Sequence, residues 1–186
     1  MKRFVMPVFA TFLLLFVLTA MGTAADLKQL EKKNTKYIKF ENPKETASST
    51  IEFWITYYTP ELWKLYNEEN KSAKTESSSD FLKGIKEEEN IAFKVRIDNN
   101  ASPIELNPIT AMIKLRVKNK YYTIEDFDTE LSFSFQGENE GFIYFPRRDK
   151  KTGADILKDA KDIWIEFSPT ISPVMQGRLD SLRWKI

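Results

Sequence analysis

From residue 37 onward, apolar and polar residues alternate one for one in run after run, the period of half-buried strands. Thr50 to Tyr58 (TIEFWITYY) sets Ile51, Phe53, Ile55 and Tyr57 on one face and Glu52, Trp54, Thr56 and Tyr58 on the other. Ile91 to Asp98 alternates Ile91, Phe93, Val95 and Ile97 against Lys94 and Arg96, and Ile109 to Val117 repeats the pattern. Shorter runs follow at Tyr121 to Ile124, Leu131 to Phe135, Gly141 to Phe145, Ile163 to Phe167 and the tail Leu182 to Ile186. Tyr37 to Phe40 is a further short strand that Pro43 stops. Asn99 to Pro103 reads as a turn cluster, Asn119 as the corner of a tight hairpin, and Gly137 and Pro146 as strand exits. Roughly seven to nine strands with turns between them predict an antiparallel β-sandwich.

One segment breaks the period. Thr59-Pro60-Glu61 supplies an N-cap oxygen, a proline at the first helical position and an acid at the positive dipole end. Leu62, Leu65 and Tyr66 then fall on one face at helical spacing, with Trp63 beside them. The helix is expected to fade near Asn70, with a polar loop at Lys71 to Ser79 and a short apolar turn at Asp80 to Ile85. The expected organisation is therefore a sandwich domain over 37–186 with an insertion at 59–89. A polar lead-in, partly helical or disordered, occupies 26–36, and a single helical turn is expected at Ala154 to Ala160.

Residues 1–25 follow a different rule. Lys2 and Arg3 precede an apolar run from Phe4 to Met21, which closes on Gly22-Thr23-Ala24-Ala25. That order is the pattern of an export signal helix, with cleavage after Ala24 or Ala25. An uncleaved anchor is the alternative, since Phe4 to Met21 approaches the roughly 17–25 residues that span a bilayer. Either way the expected location is periplasmic or extracellular, with membrane contact only through this segment if it stays attached.

Composition then removes whole classes of chemistry. The chain has no Cys and no His, so Ser-His-Asp and Cys-His nucleophile systems, His/Cys zinc sites, disulfides and lipoprotein attachment are all excluded. Without residues 1–25 the formal charge falls from +1 to −1, because Lys2 and Arg3 go and no acid goes with them. A near-neutral chain lacks the basic stripe that nucleic-acid binding needs. No cofactor motif is present, and no glycine-rich phosphate loop or Ser-x-x-Lys pair marks an enzyme.

Two sets of residues carry the remaining chemistry. Asp126, Asp128 and Glu130 are spaced by two and would share a face if extended, an oxygen cluster for a metal, though structural use is the plainer reading. Glu87-Glu88-Glu89 reads as a solvated turn, and Asp149 to Asp155 has lysines where a calcium loop needs acids. Trp54, Tyr58 and Trp164, with Trp184 a fourth candidate, sit on strand faces opposite the main apolar rows. Exposed, they would form a stacking platform for sugars or a patch for a protein; covered by the 59–89 segment, they would be core.

The stretches IAFKVRIDNNASPIELNP, AMIKLRVKNKYYTI, LSFSFQGENEGFIYFPR and IWIEFS carry a resemblance. An Asn pair ending a strand, a following "pI-L" segment and a later "G-E…G-x-I-x-F-P" element resemble small immunoglobulin-like domains of exported bacterial envelope proteins. The matching positions include Asn99, Asn100, Pro103, Ile104, Leu106, Gly137, Glu138, Gly141, Ile143, Phe145 and Pro146. The resemblance implies an immunoglobulin-like sandwich with a short inserted helix. It also implies a non-catalytic binding or structural role against another envelope protein or a glycan. Loops at the sandwich ends, Lys71 to Ser79, Asn99 to Pro103 and Arg147 to Lys151, are the candidate contacts. The alternative is an oxygen-ligand metal protein or a carboxylate hydrolase built on the acidic trio.

Overall fold

The computed structural model describes residues 25–42, 49–73, 89–175 and 177–186. Residues 1–24 of the expected 1–25 export signal, most of the expected loop after residue 70, the expected apolar turn at Asp80 to Ile85 and the acids Glu87 and Glu88 lie outside the described residues.

Two antiparallel sheets pack face to face as a β-sandwich. The strands are β1 (Thr35–Glu41), β2 (Thr50–Tyr58), β3 (Asn90–Ile104), β4 (Ile113–Val117), β5 (Lys120–Thr123), β6 (Asp126–Phe127), β7 (Phe135–Pro146), β8 (Asp162–Phe167) and β9 (Asp180–Lys185). One sheet has the order β1-β2-β3-β7-β6 and the other β5-β4-β8-β9. The alternating apolar positions of the long strands turn inward. Ile51, Phe53, Ile55, Phe93, Val95, Ile97, Ile143 and Phe145 from the first sheet meet Ile113, Leu115, Val117, Ile163, Ile165 and Phe167 from the second in one buried cluster.

At two places local geometry overrides the alternation. The run expected as one strand over Ile109 to Val117 opens with a helical turn, Ile109–Met112, before β4. The Ala111 amide donates to the Pro108 carbonyl at 2.9 Å, and a four-residue step puts Ile109 and Ile113 on the same buried side. Likewise Thr129–Ser132 is a 3₁₀ turn in which only Leu131 reaches the core, leaving Phe133 66% exposed. Ala154 to Ala160 forms turns rather than a helical turn.

Asn99 to Pro103 is not a turn between strands. β3 runs through it to Ile104, with a register shift between Asn99 and Ile104. The fully buried Asn99 holds that bulge: its Nδ2 donates to the carbonyls of Ser102 (3.0 Å) and Phe135 (3.2 Å), and its Oδ1 accepts from the Ala101 amide (3.0 Å). Gly137, expected as a strand exit, lies inside β7 opposite Asn99 with φ +84°, a left-handed conformation that suits glycine.

The lead-in is structured. Residues 25–34 form a helix, α1, and the second helix, α2 (Pro60–Ala73), extends three residues past the expected end. Thr59 caps α2 as its spacing predicts, its Oγ1 accepting from the Leu62 amide at 3.2 Å. Both helices cover one end of the five-stranded sheet's outer face. Leu27, Leu62 and Trp63 bury Tyr58, Ala92, Phe142 and Tyr144 in a second, smaller cluster. Tyr58 Oη donates to Glu31 Oε1 at 2.5 Å, tying α1 to the sheet. Trp184, expected on an outer face, turns inward instead: it is 3% exposed, and its Nε1 donates to the Asn34 carbonyl at 2.6 Å.

Candidate functional site

The three aromatic candidates part company. Tyr58 is a correction: it is 2% exposed, enclosed by the rings of Trp63, Tyr66 and Phe142 at 4.9–5.6 Å, so it offers no surface to a partner. Trp63 and Tyr66 of α2 cover it, as expected if the inserted helix buries this face. Trp54 and Trp164 are half-buried, on the outer faces of different sheets, so the three form no single platform.

Each of the two tryptophans is the centre of a cross-strand stack. On the five-stranded sheet, register aligns Tyr37, Trp54, Arg96 and Glu140 in one row. The Arg96 guanidinium lies 4.6 Å from the centre of the Trp54 ring, and Tyr37 packs on the other side at 5.2 Å. On the four-stranded sheet, the row is Tyr121, Arg116, Trp164 and Arg183, one residue from each strand. Arg116 and Arg183 approach the Trp164 ring from the flanking strands at 4.1 and 5.4 Å. Such cation–π contacts contribute about 0.5–1 kcal/mol each at exposed sites.

Carboxylates fix those guanidiniums in place. Arg183 forks onto Asp162 with bonds of 2.8 and 2.7 Å, which hold the Asp162 carboxyl below the usual carboxylate range. Arg116 Nε donates to Glu166. Within these pairs the charges cancel, whereas Lys114 and Lys185 on the same face join no ion pair among the described residues. Tyr121, 59% exposed, ends the row on the β4–β5 hairpin. The arginines were missed by sequence reasoning: their alternating positions marked an outer face, but only cross-strand register shows that they flank a tryptophan.

The acidic trio does not converge. Asp126 is in β6, with its Oδ1 accepting from the Phe127 amide at 2.9 Å; Glu130 lies in the 3₁₀ turn, so the extended geometry that would align the trio is lost. Among the described residues no three acidic side chains gather as a metal-holding group. Asp128 instead pins the turn to β7, its Oδ2 accepting from the Phe142 amide at 2.8 Å. Its Oδ1 is buried and meets no donor among the described residues, and burial raises the pKa of the carboxyl.

The end loops are built more tightly than their charge suggests. Asp149 Oδ1 accepts from the amides of Lys151 (3.0 Å) and Thr152 (3.1 Å), bonds that lower its pKa. Arg147 pairs with Asp155 at 2.9 Å and Lys150 with Glu125 at 2.8 Å. Between this loop and the β4–β5 hairpin lies a cleft of about 350 Å³, with Val117, Tyr122 and Ile156 among its lining residues. Asn99 to Pro103, the other end-loop candidate, is committed to the β3 bulge through Asn99. No family model, curated protein or solved structure matches this chain.

Proposed function

We propose that the chain is a non-catalytic, exported immunoglobulin-like module that binds another protein through the open face of the four-stranded sheet. The carrying observation is the Tyr121-Arg116-Trp164-Arg183 row, a pre-ordered strip of the residue types that dominate interface energetics. Arg116, Trp164 and Arg183, already held by stacking and ion pairs, lose little freedom on association, which favours binding. A protein partner suits this strip better than a glycan. Sugar stacking needs an open aromatic face, and the Trp164 ring is flanked by two guanidiniums.

The immunoglobulin-like assignment draws support from strand order. Taking β2 to β9 as strands A, B, C, C′, D, E, F and G reproduces an A-B-E-D sheet against a C′-C-F-G sheet, with β1 added at the edge of the first. The metal or hydrolase alternative gains no support from Asp126, Asp128 and Glu130: Asp126 and Asp128 each accept from a backbone amide, and the three do not gather as a metal-holding group among the described residues. Export rests on the order of residues 1–25; a reporter fused after residue 25 and active only outside the cytoplasm tests it.

A photo-crosslinking amino acid at Tyr121 or Thr123, in cells that make the protein natively, tests the binding face. Discrete protein adducts are expected from these positions and not from Tyr37 on the opposite sheet. Adducts equally abundant from both faces, or from neither, refute the assignment.

A further inference from the structure

We infer that the cleft between the β4–β5 hairpin and the loop over residues 149–156 is a second binding site, which takes an acidic peptide segment and receives one of its apolar side chains. The site is separate from the sheet face above and stands on its own observations. Its volume, about 350 Å³, lies at the small end of ligand pockets, enough for one or two side chains rather than a large cofactor. Buried Val117 and Ile156 supply an apolar floor.

The rim is cationic once internal pairs are set aside. Asp155 in the wall is taken by Arg147, and Asp149 by two backbone amides and Lys120 (3.4 Å). Lys118 is not neutralised: its Nζ donates to the Lys158 carbonyl at 2.7 Å, which fixes an ammonium beside the cleft without cancelling its charge. Beyond the lining residues, Arg148, Lys151 and Lys158 join no ion pair among the described residues, against one unpaired acid, Asp159, so the surroundings of the cleft carry net positive charge.

The backbone is also unusual here. The described non-glycine residues with positive φ are Lys118 (55°) and Asp159 (58°), and the Lys118–Lys158 bond joins their neighbourhoods across the hairpin and loop. At Lys118, the first residue of the two-residue β4–β5 turn, positive φ matches the twist of the hairpin, and the bond to Lys158 ties that turn to the loop. The loop needs no ligand to take shape: the Asp149 amide donates to the Ala154 carbonyl (2.9 Å), the Gly153 amide to the Asp149 carbonyl (2.8 Å) and the Ile156 amide to the Arg147 carbonyl (2.9 Å). An apolar pit with a fixed, uncompensated ammonium beside it is complementary to an apolar residue flanked by carboxylates.

Panning a random-peptide display library on the full chain tests the site. Recovered peptides are expected to share an apolar residue flanked by Asp or Glu, and to bind more weakly as salt is added. Ala154→Trp, which fills the cleft from an exposed position, should weaken them by about tenfold or more. Lys118→Gln should weaken them about two- to fivefold, the range of one exposed charge pair. Thermal melting controls for folding, and Thr152→Trp blocks the same cleft should Ala154→Trp unfold. Failure to recover peptides, recovery of sequences without acidic residues, or affinity unchanged in the filled-cleft variants overturns the inference.

Discussion

Removing one hydroxyl, in Tyr58→Phe, measures how firmly α1 is fastened to the sandwich. The Tyr58 hydroxyl is buried and donates to Glu31 at 2.5 Å, while burial and that carboxylate together push its pKa well up. Hydrogen bonds to charged groups contribute about 1.5–3 kcal/mol, and neutral ones about 0.5–1.5 kcal/mol. Glu31 is only half-buried, so water replaces part of the loss, which places the expected cost near 1–2 kcal/mol. For a domain of this size that is a fall in Tm of about 2–8 °C. The ring stays, so the contacts with Trp63 and Phe142 are kept and the variant isolates the hydroxyl. The decisive assay is a double-mutant cycle with Glu31→Ala, read by urea denaturation. A coupling of about 1 kcal/mol or more is expected. Strictly additive single effects would show that α1 is not held by this bond, and the covering of the outer face would need another cause.

Asn99→Asp should destabilise more at neutral than at acid pH, by about 2–4 kcal/mol in chemical denaturation at neutrality, because a carboxylate would face the carbonyls of Ser102 and Phe135; equal stability at both pH values would contradict this. Gly141→Ala places a Cβ at 3.0 Å from Asp128 Cβ and Leu131 Cγ, and a loss of about 1–3 kcal/mol is expected in the same measurement. For Asp128 the native pKa is raised above 3.8 by burial. The native state therefore holds the proton more tightly, and its stabilising contribution, complete below pH 3.8, disappears as pH climbs through the native pKa. Asp128→Asn should flatten that fall in a Tm-against-pH series, and a slope equal to that of the parent would refute the assignment.

The sandwich was legible because its inner face is almost uninterrupted: Ile51, Phe53, Ile55 on β2 and Ile163, Ile165, Phe167 on β8 all lie where alternation puts them. The capped start of α2 was legible for a local reason, since Thr59 and Pro60 act within one turn. Errors arose where a residue's role depends on distant partners. Asn99 looks like a turn residue until Phe135, far along the chain, supplies the carbonyl that makes it a bulge clamp. Leu131, Phe133 and Phe135 alternate, yet the 3₁₀ turn places only Leu131 in the core. For the site, sequence placed Trp54, Tyr58 and Trp164 on outer faces, and whether Tyr58 is open or covered depends on α1 and α2 packing over it, whereas Trp184 turns inward at the sheet edge beside Asn34. The arginine partners and the hairpin cleft depend on register between strands about 50 residues apart, which no periodicity encodes.

The hydrogen bond from Trp184 to Asn34 has a mechanical meaning. It brings the final strand beside the residue from which β1 departs, so both edge strands leave the sandwich at the same end. Ladder bonds run across the strands, and a pull between these two points would therefore load them singly. Thr35–Thr56 would part first on one edge and Asp162–Lys185 first on the other, like two zips opened from one end. Pulled between Asn34 and Trp184, the sandwich would let its edge strands go one bond at a time, whereas a pull from ahead of α1 meets the Tyr58–Glu31 bond first.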